Sequence, residues 1–160
     1  INTSMKTASL PSTQTYSHFF AQRFHGKRSC YIRFDLNISS IQRHFREAEC
    51  QRIARKFRNN LSRLYFGNAA RHSQKYADLT IHLHQDDFWH FHIVAEVPED
   101  KEFSQVRSFA EMFVIKNRPL TVPRKMAANG STICYFEPTE SLIGSQIYNG
   151  RFGLETALIF

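Results

Sequence analysis

Apolar and polar residues alternate from Cys30 to Ile38, with Ile32, Phe34, Leu36 and Ile38 in one phase and Tyr31 and Arg33 in the other. Neighbouring side chains of a strand leave on opposite faces, so this period of two predicts a half-buried strand. The period then changes. From Ile41 the apolar positions Phe45, Ala48, Ile53, Phe57, Leu61 and Leu64 recur every three to five residues, the stripe of a helix about six turns long. Ser39 and Ser40 offer an N-cap for it, and Gly67 with Asn68 offers a stop. A polar loop is expected next. DLTIHLHQ, from Asp78 to Gln85, and FWHFHIVAEVP, from Phe88 to Pro98, predict two strands of a hairpin that turns at Asp86 and Asp87. Phe103, Val106, Phe109, Ala110, Phe113 and Val114 have helical spacing within residues 101–116. A loop over 117–130, containing Pro119, Pro123 and Gly130, leads to a fourth strand in STICYFEP. Thr139 can cap a last helix through Leu142, Ile143, Ile147 and Tyr148, which Gly144 and Gly150 weaken.

The order β-α-β-β-α-β-α predicts an α+β domain of ferredoxin-like type, with a central antiparallel sheet flanked by helices. Residues 1–17 are rich in Ser, Thr, Gln and Asn, so a flexible polar arm is expected over residues 1–25 and one domain over 26–160. At 42% hydrophobic and 14% aromatic residues, the 160-residue chain can bury a core, which excludes global disorder. Cys30, Cys50 and Cys134 are odd in number and form no CxxC pair, which argues against a zinc ribbon or a disulfide scaffold and for a reducing, cytoplasmic setting. No apolar run approaches the ~20 residues that a membrane span needs, and no signal peptide is expected.

Charge adds an asymmetry. Residues 1–75 hold 14 Lys+Arg and 3 Asp+Glu, a net +11, whereas residues 76–160 hold 7 and 11, a net −4. The basic half includes Arg43, Arg46, Arg52, Arg55, Lys56, Arg58 and Arg63 on the polar side of the long helix. Such a face suits a polyanion, and nucleic acid is the commonest. The acidic half would be accounted for by carboxylates gathered near a cation site.

Four of the eight histidines, His82, His84, His90 and His92, fall within eleven residues of the predicted hairpin. Residues two apart on a strand share a face, so paired strands can set the two His pairs side by side. Neutral imidazole is the commonest protein metal ligand. Two or three of them with open coordination positions could hold a divalent ion and admit a substrate oxygen. A structural zinc is the alternative on this reading.

The segment FWHFHIVAEVPED resembles the His-hydrophobic-His signature of the HUH endonuclease superfamily, which comprises rolling-circle replication initiators, relaxases and single-tyrosine transposases. The resemblance implies that His90 and His92 bind Mg²⁺ or Mn²⁺, with Phe91 as the spacer. It places a third ligand on the preceding strand, where His84 fits and His82 is the reserve; viral initiators usually carry Glu or Asp there. SQIYNGRF is similar to the family's nucleophile motif, with Tyr148 as nucleophile and Arg151 where many initiators have lysine. Transposases commonly carry Gln four residues after the tyrosine, where this chain has Phe152. YIRFDLNI does not match the first-strand motif of viral initiators. Tyr16 is the nucleophile if the chain follows relaxases; Tyr135 is expected in strand core. The resemblance covers residues 30–152 in element order.

What the resemblance implies is a metal-dependent single-stranded DNA endonuclease and strand transferase that forms a 5′-phosphotyrosine and initiates rolling-circle replication of a plasmid, phage or other mobile element. Its partners would be single-stranded DNA or an origin hairpin and a host helicase or polymerase, in a prokaryotic cell or virus-infected host, with the protein a monomer or homodimer. Arg43, Arg46, Arg52, Arg55 and Arg58 would contact phosphates, and Trp89 would stack on bases. A non-catalytic nucleic-acid-binding module is the reading from another class.

Overall fold

The structure is a computed structural model that describes Phe24 and residues 26–38, 41–85, 89–118, 120–122, 133–139 and 157–158. The expected arm (apart from Phe24), the hairpin turn at Asp86–Asp87, the last helix, Tyr16, Tyr148 and Arg151 lie outside the described residues.

One antiparallel sheet contains β1 (Ser29–Leu36), β2 (Leu79–Gln85), β3 (Trp89–Glu96), β4 (Thr121–Val122), β5 (Tyr135–Thr139) and β6 (Ala157–Leu158). β1 is central. β3 pairs along one side of it, while β4 and β5 share the other. β2 lies beyond β3, and β6 beyond β2. Three helices join the strands: α1 (Arg43–Phe66), α2 (Asn68–His72) and α3 (Phe103–Lys116). The α+β class is as the hydrophobic pattern predicted.

Register explains the two faces. Phe34 is opposite Phe91, which is opposite Leu83; Ile32 is opposite Ile93, which is opposite Ile81. These residues share one face, and α1 and α3 cover it: the Phe34 ring lies 5.8 Å from both Phe57 on α1 and Phe113 on α3, and 5.6 Å from Phe91. One residue out of phase, Arg33 is opposite His92 and His92 opposite His82, while Asp35 is opposite His90 and His90 opposite His84. The second face is therefore polar, yet Asp35, Thr80, His82, His90 and His92 on it are buried. β1 is consequently buried on both faces, not on one as its alternation suggested.

The helices depart from the sequence reading mainly at their ends. α1 begins at Arg43 with Gln42 as N-cap, so Ile41 precedes it, and no side chain supplies the cap bond. Phe45 is 56% exposed and Ala48 is exposed too, because the buried stripe starts only with Cys50, Ile53, Ala54, Phe57 and Leu61. Gly67 does end α1. It takes φ +56°, which glycine adopts without steric cost, and its N–H donates to Arg63 O at 2.9 Å. Asn68 opens α2 rather than a loop. In α3, Gln105 Oε1 accepts the Glu102 N–H at 2.8 Å, closing the first turn as a capping box does. The expected loop over 117–130 contributes β4 to the sheet edge, and Thr139 is the last residue of β5.

Candidate metal centre

His84 on β2 and His90 and His92 on β3 converge on the polar face, each offering a ring nitrogen, with the three atoms within 4.8 Å of one another. The register makes this unavoidable. His84 and His90 are cross-strand partners, and His92 is two residues from His90 on the same face. The His84 and His90 rings stack at 5.1 Å, and the His90 and His92 rings meet edge to face at 4.6 Å. His90 Nε2 and His92 Nε2 are 2.8 Å apart. Two nitrogens bound at about 2.0–2.1 Å to one tetrahedral or octahedral ion sit about 3 Å apart, so this pair is spaced as a shared ion requires, with a small opening.

His92 is held from behind. Its Nδ1 hydrogen-bonds the Tyr31 hydroxyl, and the Tyr31 ring stacks on the imidazole at 5.7 Å. Tyr31 in turn meets the edge of Tyr135, whose hydroxyl donates to Glu137 Oε2 at 2.8 Å. Metal-binding histidines usually have such a partner on the second nitrogen, which fixes the ring and leaves the first nitrogen's lone pair forward. Arg33 and Asp35 lie on the same face, 3.7 Å apart.

Burial sets the protonation states. It lowers the His92 pKa to about 2, assisted by the neighbouring imidazoles of His90 and His84. Burial also lowers His82 to about 4, with His84 adding to the effect. Both rings are therefore neutral at pH 7, the form that binds metals.

The set could hold a metal ion, and its donors are all imidazole. Imidazole suits zinc, copper, iron and nickel, whereas Mg²⁺ prefers carboxylate, carbonyl and water oxygens. His82 lies on the same face beside His92 but is not one of the three converging residues. Among the described residues, no carboxylate joins the cluster.

The residues expected to contact nucleic acid are placed elsewhere. Trp89 is in phase with Phe91, so it packs against the hydrophobic core on the face opposite the histidines. α1 covers that same opposite face, with Arg43 in its first turn. Arg46 Nε donates to Ile41 O at 2.8 Å, and the exposed Arg52 pairs with Glu49 at 2.6 Å. The Arg58 guanidinium sits 4.4 Å over the Tyr76 ring, and Arg55 is exposed. Tyr135 is half-buried in β5.

Sequence reasoning found the three histidines but missed Tyr31 as the partner of His92. The available signal was its place in the polar phase of a strand that must pair with the histidine strand. No protein-family model, curated protein or solved structure matches the chain. No helix among the described residues is long and apolar enough to cross a membrane.

Proposed function

We propose that the protein is a metal-dependent nuclease of the HUH type that nicks and rejoins single-stranded DNA, as an initiator of rolling-circle replication or as a related transposase or relaxase. The observation that supports this reading is the convergence of His84, His90 and His92 on one sheet face, in the pattern its resemblance leads one to expect. A divalent ion bound there would neutralise charge on a scissile phosphate. Mn²⁺ and zinc suit the three imidazoles better than Mg²⁺. Tyr31 would keep His92 oriented. Tyr148, by resemblance, would attack phosphorus through its Oη, breaking the P–O3′ bond; the 3′ oxygen leaves and takes up a proton. The product is a 5′-phosphotyrosine and a free 3′-OH, which can prime synthesis or attack in reverse. Arg151 would contact phosphate.

The test is incubation with single-stranded origin DNA and Mn²⁺, resolved on a denaturing gel. A covalent adduct that vanishes in Tyr148→Phe and in His90→Ala/His92→Ala supports the proposal. Loss of cleavage only in Tyr16→Phe would move the nucleophile. Tight binding with no cleavage across an oligonucleotide library would leave the binding-module reading.

One observation favours a second reading. His90 and His92 are only 1% and 3% exposed, which gives a phosphodiester little access and suits a structural ion. In that case, chelation lowers the melting temperature and DNA is never cut.

A further inference from the structure

The helical layer carries a feature unrelated to the histidine centre. A groove of about 300 Å³ runs between α1 and α3 on the outer side of the molecule. Lys56 and Arg63 line it from α1 and Lys116 from α3, over a floor of Phe109, Met112 and Phe113. Among the described residues, no acidic side chain lines it. Lys56 and Arg63 are seven residues apart, and so are Phe109 and Lys116, so each wall is about two helical turns, or ~10 Å, long. Large exposed apolar side chains are few among the described residues, and one of the four, Met112 at 47%, lines this groove from α3.

We propose that this groove docks an acidic amphipathic helix of a partner protein. Two turns of apolar side chains would lie along Phe109 and Met112, and flanking Asp or Glu residues would meet Lys56, Arg63 and Lys116. Methionine suits this role because its flexible thioether adapts to varied apolar shapes. Basic walls also suit a nucleic-acid strand, but the floor does not. Stacking needs open aromatic faces. Phe113 is 3% exposed, and Phe109 is engaged edge-on with Phe57 at 5.3 Å. The apolar side chain that the groove exposes most is the thioether of Met112.

The probe is a labelled 14-residue helical peptide with Leu at positions i, i+3, i+4 and i+7 flanked by Glu, measured by fluorescence anisotropy on the full chain. A scrambled peptide of the same composition and an oligo(dT) 12-mer are the controls. Methyl NMR of Met112 reports the place of binding. The expected result is saturable binding that shifts the Met112 methyl, weakens at least tenfold in Met112→Glu and in Lys56→Glu/Lys116→Glu, and is weaker for the scrambled peptide. Both sets of sites are exposed or on the groove rim, so the fold is kept; an unchanged melting temperature verifies this. No saturable binding, equal binding of the scrambled peptide, or an unaffected Met112→Glu variant would overturn the proposal. Tighter binding of oligo(dT) with the same methyl shift would overturn it in favour of nucleic acid.

Discussion

Tyr31→Phe separates a metal centre from a chance meeting of histidines. The substitution keeps the ring that stacks on His92 at 5.7 Å and meets Tyr135 edge-on at 5.6 Å, and removes only the hydroxyl that His92 Nδ1 bonds. Two consequences follow with different sizes. Loss of one buried hydrogen bond costs stability by about 1 kcal/mol, or up to about 3 kcal/mol if the imidazole nitrogen finds no substitute. Loss of the group that orients a ligand lowers metal affinity about 10- to 100-fold, or ~1.4–2.7 kcal/mol. Zn²⁺ and Mn²⁺ binding to the purified protein, measured by calorimetric titration, reads the second; urea unfolding of the metal-free protein reads the first. Tyr135→Phe is the control, because its hydroxyl bonds Glu137 rather than a histidine. It should leave affinity within about twofold. Wild-type affinity in Tyr31→Phe, with His92→Ala still abolishing binding, would refute the claim that Tyr31 positions His92. Binding that survives His84→Ala, His90→Ala and His92→Ala together would refute the centre itself.

Acid should destabilise the metal-free protein. His82 stands at about 4 when folded against about 6.5 unfolded, so the stabilisation from its neutral ring is whole above pH 6.5 and is lost as pH falls toward 4, at ~1.4 kcal/mol per unit and about 3 kcal/mol in all. His92, lowered to about 2, extends the loss further down. Urea midpoints that do not move between pH 7 and pH 5 would contradict this. The cysteines should be unreactive: all three are buried, with the Cys50 and Cys134 thiols pushed up to about 12 and Cys30 raised further by desolvation. A colourimetric disulfide reagent at pH 8 should react more than about a hundredfold slower than with the unfolded chain, and fast labelling of the native protein would show that the core opens. Phe57→Ala should cost about 3–5 kcal/mol in chemical denaturation, because its ring joins Phe34, Phe109 and Phe113 in the layer that ties both helices to the sheet; a cost below about 1 kcal/mol would mean that this layer is loosely packed.

The sequence disclosed most where one period ran unbroken. The alternation in β1 and β3 gave both the strands and the phase of His90 and His92, and the Phe103-to-Val114 stripe gave α3. It disclosed less where tertiary contacts decide. Phe45 fits the helical stripe but is 56% exposed, while Cys50 and Ala54, outside the stripe read from sequence, are buried. Ser39 and Ser40 are good caps, yet α1 starts after them. The polar phase of β1 suggested solvent, but Tyr31 and Asp35 are buried against the histidine strand. The polar phase put Tyr31 on the histidine face, but only the register of β1 against β3 brings it within reach of His92, 61 residues away. The place of Trp89 was legible from its adjoining His90, because one step along a strand changes the face.

That single-residue step also reshapes the meaning of the charge asymmetry. The arginines of α1 and the histidines of β2 and β3 are separated in sequence, and the sheet separates them again in space. α1 packs on the face of Phe34 and Phe91, and the imidazoles occupy the reverse. A helix is about 10–12 Å across, so α1's outer surface and the histidine centre are divided by the full thickness of that helix and the sheet. One DNA strand that touched both would have to pass around an edge of the sheet. If the proposed activity holds, the two surfaces should then fail independently. Arg55→Ala should weaken DNA binding and flatten its salt dependence without changing the cleavage rate at saturating DNA. His90→Ala should abolish cleavage at unchanged affinity. A variant of either class that altered both properties together would place the DNA on one face only, and the basic helix would then need a different partner.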